Sequence, residues 1–439
     1  MSLDRPNRFS TQLESAIAPS QLQNTMALTD PSVFPPGTAG FQTANGDASL
    51  LDLKKTLLQK LGFSGPLLTG PSFPAPSTSV NYGAAGIAYA LYRMARAQGD
   101  SELLALADAW SSRAVRQIGD EGAFYNTEIG MTKEILGETS LYHGPAGVYA
   151  VQALIAQARG DSAQQQLATS AFIEASSKDS GKLDLTLGRA GTILGSSFLL
   201  RAAEASFSPE AQPIERLRSF GRESAARLWQ MMESFGPIGE AMQLTNLGVA
   251  HGWAGLLYSI LCWSAVSHDP LPATIGERLQ QLGEYAEPVG RGLQWPWDRV
   301  RSRGYMSGWC NGTAGYVFLW TLAHKLLGDP NYLMWAERAA WNVWEAASPI
   351  GNLCCGMAGQ AYALMNFYRH TGENGWLSRA RDLARSAVAA REESSSPSAY
   401  EELLLRPESL YKGELGIAVL AADLDRPEQA SMPLFELES

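Results

Sequence analysis

SGWCNGTAGYVFLWTLAHKLL, residues 307–327, holds the pattern on which the fold turns: a Gly-x-Ala-Gly followed at once by a long apolar stretch. A Gly-x-x-Gly leading such a stretch occurs seven times along the chain, its third residue Ala in six copies and Leu in the seventh. The copies are Gly83-Ala-Ala-Gly86, Gly144-Pro-Ala-Gly147, Gly188-Arg-Ala-Gly191, Gly252-Trp-Ala-Gly255, Gly312-Thr-Ala-Gly315, Gly356-Met-Ala-Gly359 and Gly413-Glu-Leu-Gly416. Successive first glycines lie 61, 44, 64, 60, 44 and 57 residues apart, so the chain reads as a repeat array. After each copy comes a stretch apolar on every side, such as IAYALYRMARA (87–97), LLYSILCWSAV (256–266) or YVFLWTLAHKLL (316–327), long enough for a buried helix. Between them lie polar helical stretches, among them SELLALADAWSSRAVRQI and WLSRARDLARSAVAAR. Helix pairs with one apolar and one amphipathic member bury the apolar set by closing on themselves. The expectation is an all-α fold, an α/α toroid of seven inner and seven outer helices. Its glycine-led loops should meet on one face, where small residues permit close backbone approach and leave N–H groups free.

Composition agrees. The 439 residues are 45% hydrophobic and 18% charged, a globular balance, and 34 Lys plus Arg against 44 Asp plus Glu leave a net charge of −10. No basic run suits a nucleic-acid partner, and no apolar run reaches the roughly 20 residues that cross a bilayer. With no secretory signal pattern in MSLDRPNRFSTQLES, the expected location is cytoplasmic. Residues 1–45 read as an irregular N-terminal arm, 46–424 as the toroid, 391–405 as a loop within it, and 425–439 as a C-terminal tail with a mobile end.

Three of the four cysteines stand just before repeat glycines, in Trp309-Cys310-Asn311-Gly312 and Leu353-Cys354-Cys355-Gly356. Thiolates in a trio, leaving a fourth position open, suit a catalytic Zn²⁺. A Cys310–Cys354 disulfide and three buried small hydrophobes are the other readings of the same residues. Cys262 falls within an apolar stretch and reads as core. His251 and His143 each precede a repeat glycine, where a packing or capping role competes with a chemical one. Asp184, four residues before Gly188, could cap a helix or act as an acid/base group. His268, His324 and His370 read as structural.

In this order and register the motifs resemble the lanthionine synthetase C-like (LanC-like) cyclases, over about residues 50–424. The resemblance implies a seven-fold α/α barrel with one zinc, held through Cys310 of the Trp-Cys-x-Gly motif and through Cys354 and Cys355 at the later Cys-His-Gly motif. Here Cys355 replaces the usual His, which is similar to a three-cysteine subset of these cyclases. An Arg that some members carry four residues before the first zinc Cys is absent: Met306 stands there, and neither Arg301 nor Arg303 is in register. The resemblance further implies Michael addition of peptide Cys thiols to dehydroalanine or dehydrobutyrine, forming lanthionine or methyllanthionine rings. His251 and Asp184 would handle the protons. A dehydrated precursor peptide is then the partner, and dehydration falls to a separate dehydratase or to the rest of a longer synthetase, with a transporter as a further partner. The second reading is a non-cyclising LanC-like zinc protein that binds glutathione or a peptide thiol.

Overall fold

The computed structural model describes residues 46–70, 73–178, 181–204, 212–300, 304–392 and 406–437. The expected N-terminal arm, Arg301, Arg303 and most of the 391–405 loop lie outside the described residues. Among the described residues, fourteen helices of nine residues or more follow one another: α1 (Gly46–Leu61), α2 (Ala84–Gln98), α3 (Ser101–Arg116), α4 (Pro145–Ala158), α5 (Ser162–Ser176), α6 (Arg189–Glu204), α7 (Gln212–Ser234), α8 (Trp253–Ser267), α9 (Ile275–Gly283), α10 (Thr313–Leu327), α11 (Pro330–Glu345), α12 (Met357–Thr371), α13 (Asn374–Glu392) and α14 (Leu415–Asp423). Among the described residues the fold is all-α apart from an antiparallel hairpin, β1 (Glu287–Val289) with β2 (Gly292–Gln294).

Even-numbered helices are the ones that follow the repeat glycines. In α2 every residue from Ala84 to Ala95 is buried, and α8 is buried without a break from Trp253 to Trp263. The odd-numbered α3 buries a stripe instead, with Leu106, Ala107, Trp110 and Ala114 on one face. Each even-numbered helix packs on the next in the series, and α14 packs back on α2. The turn from one even helix to the odd helix after it is encoded three times by Gly-Asp. Gly99, Gly160 and Gly328 take left-handed φ values of 68°, 73° and 71° at the helix end, and Asp100, Asp161 and Asp329 cap the next helix through backbone N–H groups.

The repeat glycines are selected for space. The first glycines that cap α2, α4, α8, α10 and α12 have extended backbones, with φ of −119°, −125°, −133°, −123° and −111°. The second glycine presses on the carbonyl six residues earlier: an added Cβ would meet the Val80 oxygen at 2.0 Å from Gly86, Leu141 at 1.8 Å from Gly147, and Val249 at 1.9 Å from Gly255. Any larger residue would drive the loop off its helix.

These loops are sewn to one another by backbone hydrogen bonds. Asn81 N donates to Tyr142 O (2.9 Å), Thr186 N to Ala250 O (3.2 Å), Ala250 N to Cys310 O (2.6 Å), Cys310 N to Cys354 O (3.1 Å) and Cys354 N to Tyr411 O (2.9 Å). Ser140 Oγ spans the second and third loops by donating to Thr186 O at 2.5 Å. Leu410 N to Asn81 O, at 3.0 Å, joins the last loop to the first.

The chain's end differs from expectation. Residues 430–436 are a buried segment in which Met432, Leu434 and Phe435 are fully enclosed. Phe435 stacks on Tyr258 at 4.3 Å and meets Trp309 at 5.1 Å and Phe318 at 5.2 Å. Tyr142, Tyr258 and Tyr411 donate to the carbonyls of Leu434, Phe435 and Pro433. The physical reason is volume: apolar side chains of the even helices face a common interior, and MPLF supplies the side chains that fill it. A run this short carries no helical period, so its burial leaves no periodic trace in the sequence.

Candidate metal centre

Each of the seven loops presents the two residues before its first glycine to one cavity. Asn81 and Tyr82, Tyr142 and His143, Thr186 and Leu187, Ala250 and His251, Cys310 and Asn311, Cys354 and Cys355, and Tyr411 and Lys412 all line it, with Trp309 beside them. The space, about 120 Å³, suits side-chain-sized groups.

The loop turn is built alike in five copies. The residue four before the first glycine accepts the N–H of the residue just before that glycine: Ser79 from Tyr82 (3.2 Å), Ser140 from His143 (2.8 Å), Asp184 from Leu187 (2.7 Å), Asn352 from Cys355 (3.0 Å) and Ser409 from Lys412 (3.0 Å). In the other two that position is Gly248 or Gly308, and a neighbouring loop lies against it. A Cβ on Gly248 would be 2.6 Å from Asn311 Cα, and one on Gly308 2.7 Å from Cys355 Cα.

That approach brings the Cys310 and Cys354–Cys355 loops together. The three sulfurs lie within 4.8 Å of one another, with Cys310 Sγ 3.6 Å and Cys354 Sγ 3.5 Å from Cys355 Sγ. All four cysteines are free and buried, which sets aside a disulfide. Zn–S bonds of about 2.3 Å in tetrahedral geometry separate sulfurs by roughly 3.8 Å, so the donor set and its spacing fit such an ion. Contact with Cys310 first and Cys354 next, with the Lys412 ammonium adding, holds the Cys355 thiol well below its ordinary pKa in spite of burial. Cys262 is fully enclosed in α8, and burial raises its thiol far above the usual range, as expected of core.

His251 stands on the same cavity wall, with Asp184 behind it. Its Nδ1 is 3.5 Å from Asp184 Oδ1 and 3.0 Å from Thr186 Oγ1, which is itself 3.1 Å from that carboxylate oxygen. Thr186 thus sits between the two residues singled out from sequence. Burial disfavours the Asp184 carboxylate, but His251 and the donors Leu187 N and Thr186 outweigh it and hold the carboxyl below its usual range. Asp184 does cap its loop, as Ser or Asn does elsewhere, yet capping needs no charge.

His143 lies on the wall too, its pKa driven down to about 3 by burial and then by His251. Asn81 Nδ2 donates to its Nε2 at 3.4 Å, while its Nδ1, like Trp309 Nε1 and Asn311 Oδ1 in the same wall, has no partner among the described residues. Such orphaned polar atoms around a cavity mark a site shaped for a polar ligand. His324 and His370 are elsewhere, paired with each other at 2.8 Å.

Residues 76–437 match the family described as Lanthionine synthetase C-like protein. The chain belongs to the lanthionine synthetase C-like family. A Danio rerio relative of this LanC-like chain, "Glutathione S-transferase LANCL1", is 26% identical over 202 residues, 45% of this chain and 47% of that protein. The Arabidopsis thaliana "LanC-like protein GCL1" is 24% identical over 322 residues, 67% and 69% of the two chains. Matches thus span about half of the first relative and about two thirds of the second. Among solved structures, "Nisin cyclase" superposes with a TM-score of 0.60 over 88% of this chain and 95% of its own, at 13% identity, a likeness of fold.

The LanC-like family match runs through the buried 430–436 segment, beyond the boundary expected at 424. Lys412, absent from the residues picked out by sequence, also lines the site, with Nζ 3.5 Å from Cys355 Sγ. Its signal was present: like His143, His251 and Cys355, it directly precedes a repeat glycine. No described helix of this LanC-like chain is long and apolar enough to cross a membrane.

Proposed function

We propose that this protein is a zinc-dependent lanthipeptide cyclase built as an α/α toroid of seven inner and seven outer helices. The observation that carries this reading is the convergence of three thiols from two adjacent loops on a cavity that also holds His251 and its Asp184 partner. The succession of even helices, with α14 packed on α2, supports the toroid.

Cys310, Cys354 and Cys355 would hold the ion and leave one position for the sulfur of a substrate cysteine. Zinc so bound lowers the pKa of an incoming thiol and keeps it as a nucleophile at neutral pH. Carbon–sulfur bond formation at Cβ of a dehydroalanine or dehydrobutyrine sends the double-bond electrons to Cα as an enolate, which is then protonated. His251, with Asp184 and Thr186 at its Nδ1, lies where it can take up the thiol's proton and return one to Cα. The pair is conserved in number: one proton leaves sulfur and one arrives at carbon. The partner is a dehydrated precursor peptide, prepared by a dehydratase and passed on to a transporter.

A second reading has the same thiol site accept glutathione, as the name of the zebrafish relative suggests. One experiment separates them. Zinc-loaded protein is incubated with a peptide bearing one Cys and one dehydroalanine, with and without glutathione, and followed by mass spectrometry after thiol alkylation. Cyclisation leaves the peptide mass unchanged and blocks alkylation, and His251→Ala should abolish it with zinc retained. A glutathione adduct would support the second reading. A peptide that stays fully alkylable and unmodified would overturn the cyclase reading.

A further inference from the structure

Among the described residues, Lys412 is the lysine that the seven-loop register places against the sulfurs. Its Nζ donates toward Cys355 Sγ at 3.5 Å. Its backbone is fixed at both ends, the N–H on Ser409 Oγ at 3.0 Å and the carbonyl on Asn352 Nδ2 at 3.3 Å. Asn352 also holds Cys355 N at 3.0 Å, so one side chain sets the spacing between the lysine loop and the cysteine loop. Among the described residues no carboxylate forms an ion pair with Lys412, so its charge is directed at the sulfurs.

Three thiolates on a divalent ion leave a net charge of minus one, and a substrate thiolate would bring it to minus two. A Cys/Cys/His centre with the same thiolate reaches only minus one. An ammonium against the third sulfur restores that value.

We propose that Lys412 is the positioning counter-charge of the three-cysteine centre, matched to Cys355, and that it sets how tightly the centre accepts an incoming thiolate. The proposal rests on the metal-centre reading above. It is tested on the full chain loaded with Co²⁺ and titrated with 2-mercaptoethanol, following the sulfur-to-cobalt absorption, with Zn²⁺ affinity measured by chelator competition.

Lys412→Met should weaken thiol binding by about tenfold or more, the scale on which outer partners tune metal sites. Lys412→Arg should restore it to within about threefold. In a Cys355→His background the Met change should matter far less, because the extra negative charge is gone. Unchanged thiol affinity in Lys412→Met with metal bound at one per chain would overturn the proposal alone. Equal loss in both backgrounds would do the same, assigning Lys412 a general structural role. A wild-type chain that takes up no metal would overturn the centre itself. Should Lys412→Met fail to fold, Lys412→Gln carries the same titration.

Discussion

Gly308 lies so close to Cys355 that a Cβ on it would stand 2.7 Å from the Cys355 Cα. The distance between the two cysteine loops is therefore set by a missing side chain. Gly308→Ala should separate Cys310 from Cys355 and lower zinc affinity by about tenfold or more. Gly119→Ala, which meets nothing within 4 Å, is the control. Zinc per chain in the two variants, by elemental analysis after dialysis against a chelator, decides it, and equal content would show that the loop tolerates the shift.

Asp184 caps its loop through Oδ1 and also faces His251. Asp184→Asn keeps an acceptor oxygen for Leu187 N and removes the charge. The fold and zinc content should survive while turnover falls by about a hundredfold. Unaltered turnover would leave Asp184 as a cap and nothing more.

His143 is buried with its pKa lowered to about 3. Its folded value lies below the unfolded one, so the unfolded chain binds the extra proton as pH falls below about 6.5. Neutral His143 therefore costs nothing at pH 7.5, and stability declines as the medium is acidified through that range toward pH 3. The loss should reach about 2 kcal/mol by pH 5. Denaturant midpoints for wild type and His143→Gln at pH 7.5 and 5 should converge as the pH drops, and parallel declines would count against this account. Asp184, whose carboxyl is held below its ordinary value, stays ionised at both pH 7.5 and pH 5.

Phe435 occupies the interior between Tyr258, Trp309 and Phe318. Phe435→Ala should cost about 3–5 kcal/mol, the range for emptying a packed aromatic site. Because Trp309 directly precedes Cys310, zinc affinity should drop with it. Thermal unfolding and metal content report the two effects separately.

The repeat pattern determined which stretches are buried helices and which loops share a face, because both follow from local periodicity and the glycine register. Asn81, Tyr82 and Lys412 share that register with the histidines and cysteines, but their residue types drew no attention on their own. Other relationships depend on contacts across the closed series of loops. Thr186 stands between Asp184 and His251 because the third loop hydrogen-bonds the fourth, through Thr186 N and Ala250 O at 3.2 Å. Lys412 reaches Cys355 because the last loop meets both the sixth and the first, Cys354 N donating to Tyr411 O at 2.9 Å and Leu410 N to Asn81 O at 3.0 Å. Local period and register thus account for the helices, the spacing of the repeats and the three cysteines; which side chains face one another across the cavity, and the filling of the interior by residues 430–436, follow from chain closure and packing volume, which belong to the whole molecule and have no local period.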